Sequence, residues 1–160
     1  MLLWYAGLSI LIVANVFRST GVDYRLIAVG SMLPLLVDLP VGHRAFGYTL
    51  LIAVGMLFVV MVVTIGRPRL LRRRLLALPI GVFCGLVLSG AFTNGDLFLW
   101  PLGGTGFGDE ALLPAWWIVG LEELAGLAAW WWIVGQFDLY LAGPRAEFFR
   151  TGRLTEGIAP

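Results

Sequence analysis

The chain has no lysine, one cysteine and one histidine, and charged residues fill only 13% of its 160 positions. Each shortage removes a class of explanation. A lone cysteine, Cys84, excludes an intramolecular disulfide. A lone histidine, His43, excludes any site needing two imidazole ligands from one chain. A net charge of +1 gives no global field to attract a nucleic acid, so none is expected as a partner. The missing lysine reads as the codon bias of GC-rich DNA and carries no function. Met1-Leu2-Leu3 enters an apolar run without a basic n-region or a small-residue cleavage site, which predicts a retained helix and not a signal peptide.

What fills the chain is apolar. Hydrophobic residues make up 59% of it, against about 45–50% in soluble domains, which also carry about 25% charged residues. The excess falls in five blocks: Leu2 to Phe17, Leu26 to Val41, Gly47 to Ile65, Leu75 to Phe92 and Pro114 to Val134. Runs of this length predict an all-α, polytopic membrane helix bundle of about five transmembrane helices over residues 1–143. The second block is short for a bilayer, and Pro34 predicts either a kink or a re-entrant segment there. Residues 67–74 read as a basic loop, and residues 144–160 as a cytoplasmic tail. The sequence leaves open whether that tail docks as an interfacial helix or hangs free.

Arginine sets the expected orientation. With residues 67–74 inside, Arg18, Arg25, Arg67, Arg69, Arg72, Arg73, Arg74, Arg145, Arg150 and Arg153 all lie inside, and only Arg44 lies outside. The topology is therefore N-outside, C-inside. Trp116-Trp117 and Trp130-Trp131-Trp132 stand about 21 Å apart on the last block, as interfacial anchors would.

The uncommon polar groups gather toward the outer side. Asp38, His43 and Arg44 lie in the second loop, and Asn94 and Asp96 follow the fourth block. Glu122 and Glu123 lie near the expected mid-membrane, where a carboxylate needs a partner, a cavity or a proton. Adjacent helical residues diverge by about 100°, so the two cannot share one partner. They offer either a proton relay, metal or headgroup contact, or polar glue between helices. Asp38 and His43 are the candidate metal or acid–base pair, although catalytic zinc sites usually take three protein ligands. The plainer alternative pairs Asp38 with Arg44.

Several segments together resemble the YdjM-like family of inner-membrane, metal-dependent hydrolases. Gly30-Ser31-Met32-Leu33-Pro34-Leu35-Leu36-Val37-Asp38 is similar to that family's Gly-x-Leu-Leu-Pro-Asp-x-x-Asp. His43-Arg44-Ala45-Phe46-Gly47-Tyr48-Thr49-Leu50-Leu51 is similar to its His-Arg-x-x-x-His-Ser-Leu-Leu. Gly85 to Leu102, closing in Phe98-Leu99-Trp100-Pro101-Leu102, resembles a segment that opens His-x-x-x-Asp-Gly. The tail from Phe148 to Leu154 resembles the C-termini of actinobacterial-type members. The pattern is degenerate: Leu35 replaces its first aspartate, Tyr48 and Gly85 replace histidines, and Ser89 replaces the following aspartate, while Asp38 and His43 remain.

The resemblance implies a multi-pass protein of the bacterial plasma membrane that keeps a hydrolase frame and has lost most ligand positions. Three functions follow as expectations. One is a non-catalytic subunit without cofactor, binding a lipid or another integral membrane protein through Arg44, Tyr48, Asp96, Glu122 and Glu123. The second is a hydrolase of lipid-linked substrates, with a divalent metal on Asp38 and His43 and help from Glu122 or Glu123. The third is a proton-coupled transport component built on Glu122 and Glu123.

Overall fold

A computed structural model of the chain describes residues 1–17, 22–103 and 110–154. Arg18, Asp109 and residues 155–160 lie outside the described residues. Apolar runs without sheet partners satisfy their backbone internally, and every described element is a helix. In chain order these are α1 (Leu2–Phe17), α2 (Tyr24–Asp38), α3 (Leu50–Val63), α4 (Arg69–Leu88), α5 (Gly95–Phe98), α6 (Trp116–Gln136) and α7 (Ala142–Thr151). The stray polar residues in the apolar helices bond to their own turns. Ser9 donates to the Ala6 carbonyl (3.1 Å), Asn15 to Leu11 (2.9 Å), Ser31 to Ala28 (2.8 Å) and Thr64 to Val60 (2.7 Å).

Three features differ from the sequence expectations. The residues from Arg69 to Arg74 form the first turns of α4 and not a loop, because Pro68 opens the helix and arginine favours it. α2 stays helical through the buried Pro34, so of the two alternatives the re-entrant segment is not formed. α2 and α3 are also shorter than their apolar blocks, and α4 ends before its block does. α3 begins at Leu50 because Phe46–Tyr48 is a separate 3₁₀ turn, and α4 ends where Gly90 adopts φ 68°. Among the described residues, α6 alone is long and apolar enough to cross a membrane, and α1 and α3 are apolar but shorter.

The helices pack in the order α6, α1, α2, α4, α3. The α2–α4 seam is glycine-lined. A Cβ on Gly81 would meet the Ile27 backbone, and one on Gly85 would meet the Ser31 backbone. α1 and α6 run parallel in a fixed register: Met1 lies by Glu123, Leu3 and Trp4 by Gly126, and Gly7 by Trp130. The flanking helices bury little. α3 buries only Ala53 and Val60, and α6 only Gly126, Ala129 and Ile133. Their outward residues include Phe58 at 69%, Trp116 at 86% and Trp131 at 80% exposure.

At the arginine-rich end the tail is docked. Phe148 and Leu154 pack with Ile10, Val13, Tyr24, Ile27, Ala77, Ile133 and Phe137. Asp23, 3% exposed, caps α2 and accepts from Arg25 Nη2 and Arg74 Nη2, both at 3.1 Å. Beside it the Tyr24 N–H donates to the Gly152 carbonyl (2.8 Å), and Arg25 Nη1 donates to that of Phe149 (2.7 Å). Burial pushes the Asp23 carboxyl up, but the bonds from Arg25 and Arg74 outweigh it and hold it below its ordinary value. A lowered folded-state value contributes stability that is complete above the unfolded carboxyl's range and lost as pH falls through the folded value. The tail should therefore stay protease-resistant from neutral pH to below about pH 4, the ordinary aspartate value, and be released only in stronger acid. Gly152 has φ 72° and lies against the Asp23 carboxylate, so Gly152→Ala is expected to free the tail to proteolysis at every pH.

Candidate functional site

The other end of the bundle is organised by one carboxylate. Asp38, the last residue of α2 and 1% exposed, accepts hydrogen bonds from the backbone N–H of Ala45 (2.6 Å) and of Gly47 (2.8 Å). Its carbonyl takes the N–H of Val41 (3.0 Å) and of Gly42 (3.2 Å). These bonds fold residues 39–48 back onto the helix end. Gly47 is required there, since a Cβ would run into the Pro34 carbonyl and the Asp38 carboxylate. The expected Asp38–Arg44 pair is not formed, because both carboxylate oxygens hold backbone amides.

Arg44 pairs instead with Glu110, Nη1 to Oε2 at 3.9 Å, and its guanidinium stands 5.0 Å from the Tyr48 ring centroid. Asn94 donates to the other Glu110 oxygen (2.8 Å), and the Arg44 N–H donates to the Glu110 carbonyl (3.0 Å). His43 forms an isolated antiparallel bridge with Ala111. Its Nδ1 lies 3.2 Å from the Arg44 carbonyl, a bond that requires the ring proton on Nδ1. Asp96 is exposed in the first turn of α5. Among the described residues no three His, Cys, Asp or Glu side chains converge as a metal-binding group would require.

The two glutamates diverge as helical geometry demands. Glu123 pairs with the Met1 ammonium and accepts from the Leu3 N–H (3.2 Å). Glu122 is within electrostatic reach of the same Met1 ammonium and also of Arg44, Tyr5 and Tyr48. The pair stands only about 9–10 Å along α6 from Trp116, level with the start of α1 and with the loop after α2.

Around Tyr48, which is 1% exposed, Arg44 Nε and Glu122 Oε2 are buried without a hydrogen-bond partner, and the Tyr48 hydroxyl stands against that of Tyr5. Elsewhere among the described residues one further side-chain atom shares this state, Trp130 Nε1. The cluster brings together Arg44, Tyr48 and Glu122 of the residues singled out by sequence. It holds Asp38 and His43 in its supporting loop and leaves Asp96 outside. Sequence reading missed Tyr5 and the role of Glu110. Tyr5 sits in an apolar run with no pattern to mark it, and Glu110 lies in a glycine-rich loop whose path only packing sets.

Fold and site together define a helical protein in which, among the described residues, one helix is long and apolar enough to cross a membrane and a polar cluster is buried beside Tyr48. Compared with known proteins, the chain matches no family model, no curated protein and no solved structure.

Proposed function

We propose that the chain is a multi-pass protein of the bacterial plasma membrane, N-outside and C-inside with five crossings. In this reading it keeps the frame of the YdjM-like hydrolases without their chemistry, and it binds a lipid or a partner membrane protein. One observation carries the loss of chemistry. Gly85 stands where the resemblance implies a histidine, and a Cβ there would run into the Ser31 backbone, so no side chain fits. The ligand position is therefore sealed by helix packing and not merely vacated. The aspartate retained from the pattern, Asp38, holds two amides of its own loop. The exposed apolar faces of α3 and α6 support a lipid surrounding, since a water-facing surface rarely carries such continuous apolar area. Pairing of Glu123 with the chain's amino group argues against a two-glutamate relay.

Purified protein incubated with zinc or manganese is expected to retain neither at stoichiometric level by elemental analysis. A stoichiometric metal that disappears in His43→Ala would establish the hydrolase reading instead. In a Cys84→Ser background, Leu70→Cys should resist an impermeant maleimide added to intact cells and react once they are opened. Labelling from outside would invert the topology.

A further inference from the structure

Two basic segments far apart in the sequence meet at the arginine-rich end of the bundle. The first turns of α4 carry Arg69, Arg72 and Arg73, all exposed. At about 100° per residue these three fall within about 100° of one another, so they share one helix face. Arg74 points elsewhere, to Asp23 (3.1 Å) and to the Thr151 carbonyl (3.4 Å). With the bonds from Arg25 and Tyr24, that contact holds the end of α7 at the first turns of α4. α7 turns Phe148 into the bundle and leaves Arg145, Phe149 and Arg150 exposed.

Nothing within the fold answers this charge. Asp23 is taken by Arg25 and Arg74. Among the described residues no carboxylate, Glu147 included, forms an ion pair with Arg69, Arg72, Arg73, Arg145 or Arg150. Arginines gathered in this way repel one another unless an anion faces them. Apolar side chains stand exposed among them, Leu70 at 63% and Phe149 at 68%. A nucleic acid would leave such groups in water, whereas the boundary of a bilayer takes both the charge and the apolar groups. Their depth agrees. Arg69 lies about 9 Å along α4 from Leu75, where the apolar stretch begins. Phe148 packs with Ile133 and Phe137, just past the exposed Trp131 and Trp132, and tryptophan favours the membrane interface.

We propose that Arg69, Arg72 and Arg73 of α4 and Arg145 and Arg150 of α7 form one surface for anionic phospholipid headgroups of the inner leaflet. Phe149 enters the interface beside them, and the surface is whole only while the tail is docked. The proposal rests on the membrane reading above and names the lipid class. An anionic headgroup keeps the net charge of its phosphate, whereas the ammonium of a choline headgroup cancels it. Arginine meets phosphate oxygens with two N–H groups at once, which suits it to this partner.

The test is native mass spectrometry of the full chain in detergent with equimolar phosphatidylglycerol and phosphatidylcholine of matched chains. Retention of phosphatidylglycerol about thirtyfold over phosphatidylcholine is expected in about 0.1 M salt, and a smaller preference at higher salt. Each arginine near an anionic surface contributes about fivefold. The pair Arg72→Gln with Arg73→Gln, and the pair Arg145→Gln with Arg150→Gln, should therefore each lower the preference at least about fivefold. Gly152→Ala keeps every arginine but frees the tail, so it should lose as much as the α7 pair. Combined with that pair it should lose no more, since a freed tail no longer presents its arginines. Phe148→Ser, which removes the buried anchor of the tail, repeats the test by a second route. A preference kept in both Gly152→Ala and Phe148→Ser, with the tail cut by protease, would overturn the shared surface. Equal retention of the two lipids by the wild type would overturn it too, while leaving lipid binding standing. Retention of neither lipid, with no co-purifying membrane protein, would overturn the broader reading as well. A short RNA that displaced the retained phosphatidylglycerol would give the surface to nucleic acid and overturn the lipid assignment.

Discussion

Gly85→His is expected to abolish the folded monomer and to create no metal site. The Cβ alone would strike the Ser31 carbonyl, and the imidazole would need α2 and α4 to part along their closest contact. Backbone cannot yield as a flexible side chain can, so the cost exceeds the ~1–3 kcal/mol of ordinary overpacking. Gly81→Leu, which meets Ile27 on the same seam, should fail in the same way. Gly55→Ala and Gly120→Ala are the controls. Both are helical positions with no atom near the added methyl, and both should match or slightly exceed wild-type stability, by up to about 1 kcal/mol. Size-exclusion profiles and thermal midpoints in detergent would read the series. A well-folded Gly85→His protein that bound zinc would show the seam to be loose and the hydrolase site recoverable.

Asp38→Ala carries the second large effect. It removes two charge-assisted hydrogen bonds and leaves the N–H groups of Ala45 and Gly47 buried without acceptors. At about 1.5–3 kcal/mol for each bond to a charged group, the loss is about 3–6 kcal/mol. For a chain of this size the midpoint should fall by about 6–24 °C. Asp38→Asn keeps the shape but turns an NH₂ toward one of the two donors, so it should recover at most half of the loss. His43→Ala should cost far less, because its ring is half-buried and makes one bond to its own neighbour's carbonyl. Were Asp38→Ala as stable as wild type, the loop would not depend on that carboxylate, and Asp38 would return to candidacy as a ligand.

The helices were readable from the residues because an apolar run of this length must close its backbone hydrogen bonds within itself. Their ends were not. α3 starts three residues later than its apolar block because Asp38 reaches nine residues along the chain to hold Gly47, a contact that no local pattern encodes. The arginine run read as a loop because charge marks an exposed segment without saying whether it is coiled or helical. Counting along one helix could not say what stands beside Glu122 and Glu123. The register of α1 against α6 sets Glu123 at the start of α1, and register exists only between helices.

By itself the sequence determined the helical class, the apolar stretches and the divergence of the two glutamates. These follow from residue type and helical geometry alone. Tertiary packing decided that Gly85 is walled in, that Asp38 serves its own loop, that the tail is latched at Asp23, and that Arg44, Tyr5, Tyr48 and Glu122 meet in one cluster. Each of these depends on which backbone lies against which side chain, and distance along a chain does not fix distance in space.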